Sequence, residues 1–315
     1  MIKYIAIRVL WMFFLFWAII TFLFIASTVV MIRVNIELSD KISYAFDQYW
    51  PYIEGVILRG EFGMTNEFYR RDIIPIIIPR ALMTLKLNLM AFAIYFPLSF
   101  VLGIVFAIKK NHIISKITMF FIMLLGSIPH FILMLLLVIF LGIRWRFFPG
   151  QFPGSHHTIA YQRLGYVIPM IALVFPPLFI LTRVIRAEFI EAFDEDYNLL
   201  LKVKGLKFKD RLFKHMLRHI LVPVLPIVVP TFLYVLAGSF FVERIYGIEG
   251  AADLLYRSLL APAGDTTYVN IDVKMAVAVT MFYSGLGMIF ALIVDISYQF
   301  IDPRMKIGRK KNTIG

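Results

Sequence analysis

Long stretches without a charged residue alternate with polar segments along the chain. Each charge-free stretch is close to the roughly 20 apolar residues that an α-helix needs to cross about 30 Å of hydrocarbon. The stretches lack the polar positions at helical spacing that a surface helix of a water-soluble protein would show. They predict an all-α polytopic membrane protein with six transmembrane helices, at 9–32, 87–108, 117–143, 164–182, 219–242 and 275–294.

The basic residues predict an orientation for these helices. Lys and Arg collect in cytoplasmic loops of membrane proteins. If the N-terminus is cytoplasmic, the inner segments hold 19 basic and 7 acidic residues, whereas the outer segments hold 11 of each. The inner segments of this arrangement are 1–8, 109–116, 183–218 and 301–315. We therefore expect a multi-pass membrane protein with cytoplasmic N- and C-termini.

Composition agrees with a membrane protein and excludes several other classes. The chain has 315 residues, of which 60% are hydrophobic and 17% are charged, and it contains no cysteine. Disulfide frameworks and cysteine-ligated metals are therefore excluded. The net charge of +12 lies in short loops that would face anionic lipid, which argues for a membrane partner and against nucleic acid.

The segments between the helices divide the chain. A sizeable first extracellular loop, 33–80, follows the N-terminus and first helix, and it looks like a folded cap or an element lying on the membrane. A five-helix transmembrane core at 81–305 contains a long cytoplasmic loop, 183–218, and a basic tail ends the chain. The predicted parts are 1–32, 33–80, 81–305 and 306–315.

The cytoplasmic loop 183–218 changes from acidic to basic along its length, and Gly205 is a helix-breaking residue between its two halves. After Gly205, apolar residues recur at offsets that place them on one face of an α-helix. This face could lie among lipid headgroups or bind a cytoplasmic partner, and its spacing fits both. Its residues are Phe208, Leu212, Phe213, Met216 and Leu217.

No catalytic motif accompanies this architecture. The sequence contains no Gly-x-x-x-x-Gly-Lys-Ser/Thr loop for nucleotide phosphates, no His-Glu-x-x-His and no Gly-x-Ser-x-Gly. The predicted spans also offer no clear acidic group near the middle of the membrane, as a proton-coupled carrier requires. We therefore expect a helix bundle that can change shape, is not an enzyme and has no energy source of its own.

The cytoplasmic loop resembles the coupling loop of bacterial ABC-importer permeases, and most of all the B-type permease subunit of dipeptide and oligopeptide importers. The resemblance extends to the segment that begins at Gly238 and to the Asp302-Pro303-Arg304 ending. It implies an ATPase-coupling role for residues on both sides of Gly205. Those residues are Asp196, Tyr197, Lys204, Gly205, Leu206, Phe208, Leu212, Phe213 and His215.

The resemblance also implies partners. A second homologous permease subunit would complete the translocation path, and two cytoplasmic subunits would bind ATP and Mg²⁺, so this chain would need no cofactor. A periplasmic or lipid-anchored extracellular protein would deliver the peptide.

The sequence departs from the family pattern in one respect that bears on substrate. Leu199, Leu200 and Leu201 occupy positions where peptide permeases usually show Arg-Thr-Ala. A permease for nickel or an oligosaccharide is therefore an alternative. A second, less favoured alternative is a secondary ion-coupled peptide carrier.

Overall fold

The computed structural model describes residues 2–32, 37–65, 71–154, 156–260 and 271–301. The basic tail 306–315 and the Asp302-Pro303-Arg304 ending lie outside the described residues. Within the described ranges the chain is helical, and extended pairing is limited to a single bridge between Met64 and Asp72. The prediction of an all-α protein is confirmed for this part of the chain.

Twelve α-helices and three π-helical segments follow one another in the described ranges. In order, they are α1 (Ile2–Met31), α2 (Leu38–Glu54) with a π-helix (Gly55–Arg59), α3 (Ile73–Ile108), α4 (Ile113–Gly126), α5 (His130–Leu137) with a π-helix (Val138–Arg144), α6 (Ile159–Leu164), α7 (Val167–Asp194), α8 (Asp196–Val203), α9 (Phe208–Asp210) with a π-helix (Arg211–Met216), α10 (Leu217–Tyr246), α11 (Ala251–Leu260) and α12 (Val273–Ile301).

Five helices in the described ranges are long and apolar enough to cross a membrane. They comprise Ala6–Met31, Ile73–Ile108, Ile159–Asp194, Phe208–Tyr246 and Val273–Ser297. The third predicted span, 117–143, is not one straight helix, because α4 and the helix beginning at His130 meet at 97°. Counting this bent pair as one span gives the predicted six.

The bend in the third span has a local cause. Pro129 stands at the N-cap of α5, between Ser127, which ends α4, and His130, which begins α5. Proline has no N–H to donate to a preceding helical turn, and it disfavours helical backbone in the residue before it. The uncharged stretch predicted one span because an apolar count does not register this break.

The chain divides into two compact units. Among the described residues, the central unit contains Asn88–Tyr246 and residues 290–301, and the flanking unit contains residues of Ile2–Leu87 and Gly247–Ile289. In the central unit α7 packs on α4, α5 and α10. Aromatic rings add to its core, where Phe232 stacks on Phe290 at 3.8 Å between ring centroids and Phe92 meets both rings edge-on.

In the flanking unit, α2 packs along α1. Thr21 and Tyr49 share a hydrogen bond of 2.6 Å, and the rings of Phe24 and Tyr52 stack at 5.1 Å. Burial, together with the carboxylate of Asp272, raises the pKa of Tyr52. The segment 33–80 thus contains a helix packed on the first span, and its last residues from Ile73 belong to α3.

Candidate functional site

The helix α8 ends at Gly205 in a left-handed turn. Gly205 has φ +77°, its N–H donates to the carbonyl of Lys202 at 3.0 Å, and the N–H of Leu206 donates to the carbonyl of Leu201 at 3.2 Å. These two bonds form a Schellman cap, in which a left-handed residue lets the chain reverse over the last helical turn. The helix break predicted at Gly205 is therefore present, and it places Lys204 at the C-cap.

A buried asparagine fixes α8 to the helices on either side. Asn198 is only 8% exposed, and its side-chain amide donates to the carbonyl of Phe193 at 2.8 Å. Its side-chain oxygen accepts a hydrogen bond of 2.9 Å from Arg211. One side chain thus joins the end of α7 to the start of the helix that leads into α10.

The exposed side of α8 combines three apolar residues with the charged Asp196 and Lys202. Leu199, Leu200 and Val203 are 59%, 62% and 79% exposed, while the polar Asn198 faces inward. An amphipathic surface helix has the opposite arrangement, with its apolar side buried. Apolar side chains grouped on a surface mark a region that another molecule covers.

The segment after Gly205 does not form the single apolar face that its spacing predicted. Leu212 and Met216 are buried, but Phe208 and Phe213 are 42% and 61% exposed. The cause is the π-helix at Arg211–Met216, since a π-helix bonds each residue to the fifth one along and shifts side chains away from α-helical positions. Only part of the predicted face packs into the protein, and Phe213 projects outward.

The remaining predicted residues lie around α8. Asp196 begins the helix and is exposed, and His215 is exposed on the π-helix. The ring of Tyr197 stacks on His219 at 5.1 Å, and its hydroxyl is buried without a hydrogen-bond partner among the described residues. Burial and the carboxylate of Glu195 raise the pKa of Tyr197, so this hydroxyl keeps its proton at neutral pH.

An ion pair ties a second loop to the same end of the central unit. The ammonium of Lys110, between α3 and α4, lies 2.7 Å from the carboxylate of Asp194 at the end of α7. The described residues around α8 therefore comprise four features. They are the turn at Gly205, the buried Asn198 amide that bonds to two neighbouring segments, the exposed apolar side chains, and the ion pair between Lys110 and Asp194. This arrangement suits the transmission of force or position, and nothing in it activates a nucleophile.

Metal-ligating side chains do not cluster in the part of the chain that the structure describes. No group of three His, Cys, Asp or Glu residues lies close enough there to hold an ion. The expectation that this chain needs no cofactor stays a prediction.

Comparison with known families identifies the architecture around this site. Residues 99–307 match the model of the binding-protein-dependent transport system inner membrane component family. The chain belongs to that family. The matched range includes α7, the Gly205 turn and α10, so the candidate site lies inside the family's common region and the protein is a multi-pass membrane component.

Individual relatives agree with this assignment. The chain is 30% identical over 262 residues to the dipeptide transport system permease protein DppB of Lactococcus lactis, covering 83% of this chain and 81% of the relative. It is 27% identical over 262 residues to the oligopeptide transport system permease protein OppB of Haemophilus influenzae, covering 83% and 80%. The resemblance stated from the coupling loop is confirmed.

A solved structure shows the same fold at low identity. The match is to a chain of the MetNI methionine ABC transporter, with a TM-score of 0.52 and 13% identity, over 73% of this chain and 97% of the other. At this identity the likeness concerns the helical arrangement alone.

The structure also adds residues that the sequence did not single out. Asn198 and Lys110 gave no signal, since each is one polar residue among many in a polar segment. Leu199 and Leu200 were noticed as a departure from the family pattern, and a leucine run beside a helix-ending glycine in a charged loop is the signal that could have indicated an exposed patch.

Proposed function

We propose that this chain is one transmembrane half of an ATP-driven peptide importer, and that α8 with the Gly205 turn docks on a separate ATPase subunit. The observation that carries the proposal is the outward apolar patch of Leu199, Leu200 and Val203 on a short helix whose position is fixed by Asn198. A rigid helix with apolar residues on its free side suits insertion into a partner's groove.

The charges around α8 support a cytoplasmic location for this patch. Segment 183–218 holds nine of the chain's basic residues, and such segments remain on the cytoplasmic side of the membrane. ATP is available on that side, and no phosphate-binding loop occurs in this sequence. Energy for transport would therefore reach the chain through contact with a partner.

Membership of the family supports the remaining partners. A second homologous permease subunit would complete the path, two ATP-binding subunits would dock below it, and a substrate-binding protein would deliver solute from outside. The two relatives are dipeptide and oligopeptide permeases, which favours peptides as the substrate class.

Substitution of one exposed residue tests the docking surface. Val203→Asp places a charge in the apolar patch, which we expect to weaken association with the ATPase subunits about tenfold or more, since a buried unpaired carboxylate is costly. Val203→Leu keeps the surface apolar and is the matched control. The measurement is co-purification of the ATPase subunits with the tagged chain, with helix content recorded for each variant.

Reconstitution tests the transport function itself. We expect peptide uptake into liposomes that contain the complete set of subunits and ATP, and none when a non-hydrolysable ATP analogue replaces ATP. Uptake of peptide by liposomes holding this chain alone would contradict the proposal and favour an ion-coupled carrier. Normal ATPase association by Val203→Asp would remove α8 as the docking helix while leaving the importer assignment standing.

A further inference from the structure

A second left-handed turn in the central unit contains an arginine. Among the described residues, five have a positive φ, and four of them are glycines: Gly60, Gly63, Gly205 and Gly247. The fifth is Arg146, with φ +55°. Side chains with a Cβ are disfavoured in this conformation, so glycine would suit the backbone better here as well. The presence of an arginine side chain at position 146 must therefore have a reason other than the backbone conformation of the turn.

The loop that contains Arg146 caps the end of the preceding π-helix. The N–H of Trp145 donates to the carbonyl of Phe140 at 2.9 Å, and the N–H groups of Phe147 and Phe148 both donate to the carbonyl of Leu141, at 2.9 and 3.2 Å. The backbone needs of this turn are met by main-chain bonds alone. The guanidinium of Arg146 is not required for them.

The same loop is held rigidly against α10. Tyr246 donates from its hydroxyl to the carbonyl of Pro149 at 2.5 Å, and the N–H of Phe152 donates to the carbonyl of Tyr246 at 2.8 Å. A Cβ on Gly142 would lie 2.7 Å from the Cα of Gly150, so two glycines allow the backbones to touch. This fixation sets the position of the backbone around Arg146, whose side chain is exposed.

Arg146 lines a pocket of about 290 Å³ in this loop. The pocket walls combine aromatic and aliphatic side chains with backbone, and the phenol of Tyr161 also lies on them. The lining residues are Gly142, Ile143, Arg146, Phe147, Phe148, Pro149, Gly150, Tyr161 and Leu164. The lining presents polar as well as apolar surface, and Arg146 supplies its positive charge. A few placed polar groups are what orient a small ligand in its site.

The loop that forms the pocket carries only positive charge. Segment 143–163 contains three basic residues and no acidic residue, and within the described ranges Arg146 forms no ion pair. A guanidinium presents a planar pair of donors that matches a carboxylate, and such bidentate pairs are strong.

We propose that the pocket at Arg146 binds a carboxylate-bearing small ligand, with the carboxylate on the Arg146 guanidinium and its side chain against Phe147 and Tyr161. The proposal rests on the function proposed above, which places this loop on the outer side, where solute arrives. The C-terminal carboxylate of a short peptide has the required chemistry, and the volume accommodates about one terminal residue.

The test compares one peptide in two forms. The dipeptide Ala-Ala and its C-terminal amide differ at the group that Arg146 would hold. In liposomes with the complete transporter, we expect Arg146→Gly to lower the uptake of the free acid relative to the amide by about tenfold, the size of a lost charge-assisted pair. Glycine suits φ +55°, so the loop itself should be kept. Arg144→Gln, two residues away and outside the pocket, should leave the ratio unchanged.

A direct binding measurement separates this inference from the function on which it rests. The purified full chain in nanodiscs of neutral lipid should retain labelled Ala-Ala, lose it in Arg146→Gly, and bind the amide weakly in both. The proposal would be overturned if wild type and Arg146→Gly showed the same ratio of Ala-Ala to its amide, both in uptake and in binding. An effect of both arginine variants that appears only with anionic lipid would also overturn it, because the loop would then bind headgroup phosphate. Absence of ATP-driven uptake by the wild type, with Arg146-dependent binding intact, would contradict the importer and leave the pocket assigned.

Discussion

Two turns of the central unit contain a left-handed residue that follows a helix, and the two turns use that position differently. After α8 the residue is Gly205, where a Cβ would meet no atom within 4 Å. After the π-helix that follows α5 it is Arg146, beside a pocket. Because the space beside Gly205 is open, glycine is favoured there by the positive φ and not by a lack of room for a side chain. At Arg146 the backbone favours glycine and the chain has a charged side chain instead, which indicates a role for that side chain.

The two turns are also held by different means. A side-chain amide, Asn198, bonds α8 to Phe193 and Arg211, whereas a hydroxyl, Tyr246, bonds the Arg146 loop to α10. The first connection is a buried side-chain amide where three helices meet. The second is one side-chain hydrogen bond, reinforced by the backbone bond from Phe152 to Tyr246 and by the close contact of Gly142 with Gly150. Removing each connection should therefore have effects of different size.

The largest effect is expected for Asn198→Ala. The change leaves the carbonyl of Phe193 and one donor of Arg211 without their partner. Because both hydrogen bonds are part-buried, the expected cost is about 1 kcal/mol for each. Thermal unfolding in detergent and co-purification of the ATPase subunits should both report the loss. Asn198→Asp keeps the acceptor for Arg211 and should recover part of it. Unchanged stability in Asn198→Ala would mean that α8 is held by its apolar contacts alone.

Gly205→Val should come next, and Gly205→Asn is its control. Valine at φ +77° is disfavoured by about 1–2 kcal/mol, whereas asparagine adopts left-handed backbone readily. We expect ATPase association to fall about tenfold for valine and to change less than about twofold for asparagine. If asparagine were as harmful as valine, the open space beside Gly205 would have to be occupied by the partner, and side-chain size would matter there.

Much of the fold around these turns could be predicted from the sequence, since uncharged runs long enough to cross a membrane coincide with the described spans. The break at Gly205 was predictable for a similar reason, as glycine is the common residue at a helix end. The bend before His130 was not, because the apolar run continues through Pro129. The exposure of Phe213 was also missed, since the spacing argument assumed an α-helix where the chain forms a π-helix.

The candidate site was predicted less completely than the fold. The residues next to Gly205 came from a resemblance in sequence, and their coupling role stays a prediction. Asn198 bonds to the carbonyl of Phe193 and to the side chain of Arg211. These contacts depend on how three helices meet, so the sequence alone does not indicate them. Arg146 could not be found from the sequence, because neither its φ nor the pocket beside it follows from local residue types.

Tyr246→Phe should have a smaller effect than either α8 variant. It removes the hydrogen bond to the carbonyl of Pro149 and keeps the ring, so the expected loss is about 1 kcal/mol. The backbone bond from Phe152 to the carbonyl of Tyr246 stays in place. Thermal unfolding should show a small decrease, while binding of Ala-Ala should weaken because Arg146 is held less firmly. A large drop in stability with binding unchanged would show that Tyr246 supports the core of α10 and not the loop.

The smallest effect, and the only stabilising one, is expected for Arg146→Gly. Relief of the disfavoured φ is worth about 1–2 kcal/mol, and the greater freedom of glycine in the unfolded chain offsets about 0.5–1 kcal/mol of it. The free energy of unfolding should therefore rise by about 0.5–1 kcal/mol. Arg144→Gly, at the last residue of the π-helix, should lower it by a similar amount, because glycine is unfavourable in helical backbone. Opposite signs for two arginines two residues apart would mean that Arg146 reduces stability in exchange for its place in the pocket. A decrease for both would mean that its guanidinium holds the loop together, and the contrast with Gly205 would then be one of structure and not of binding.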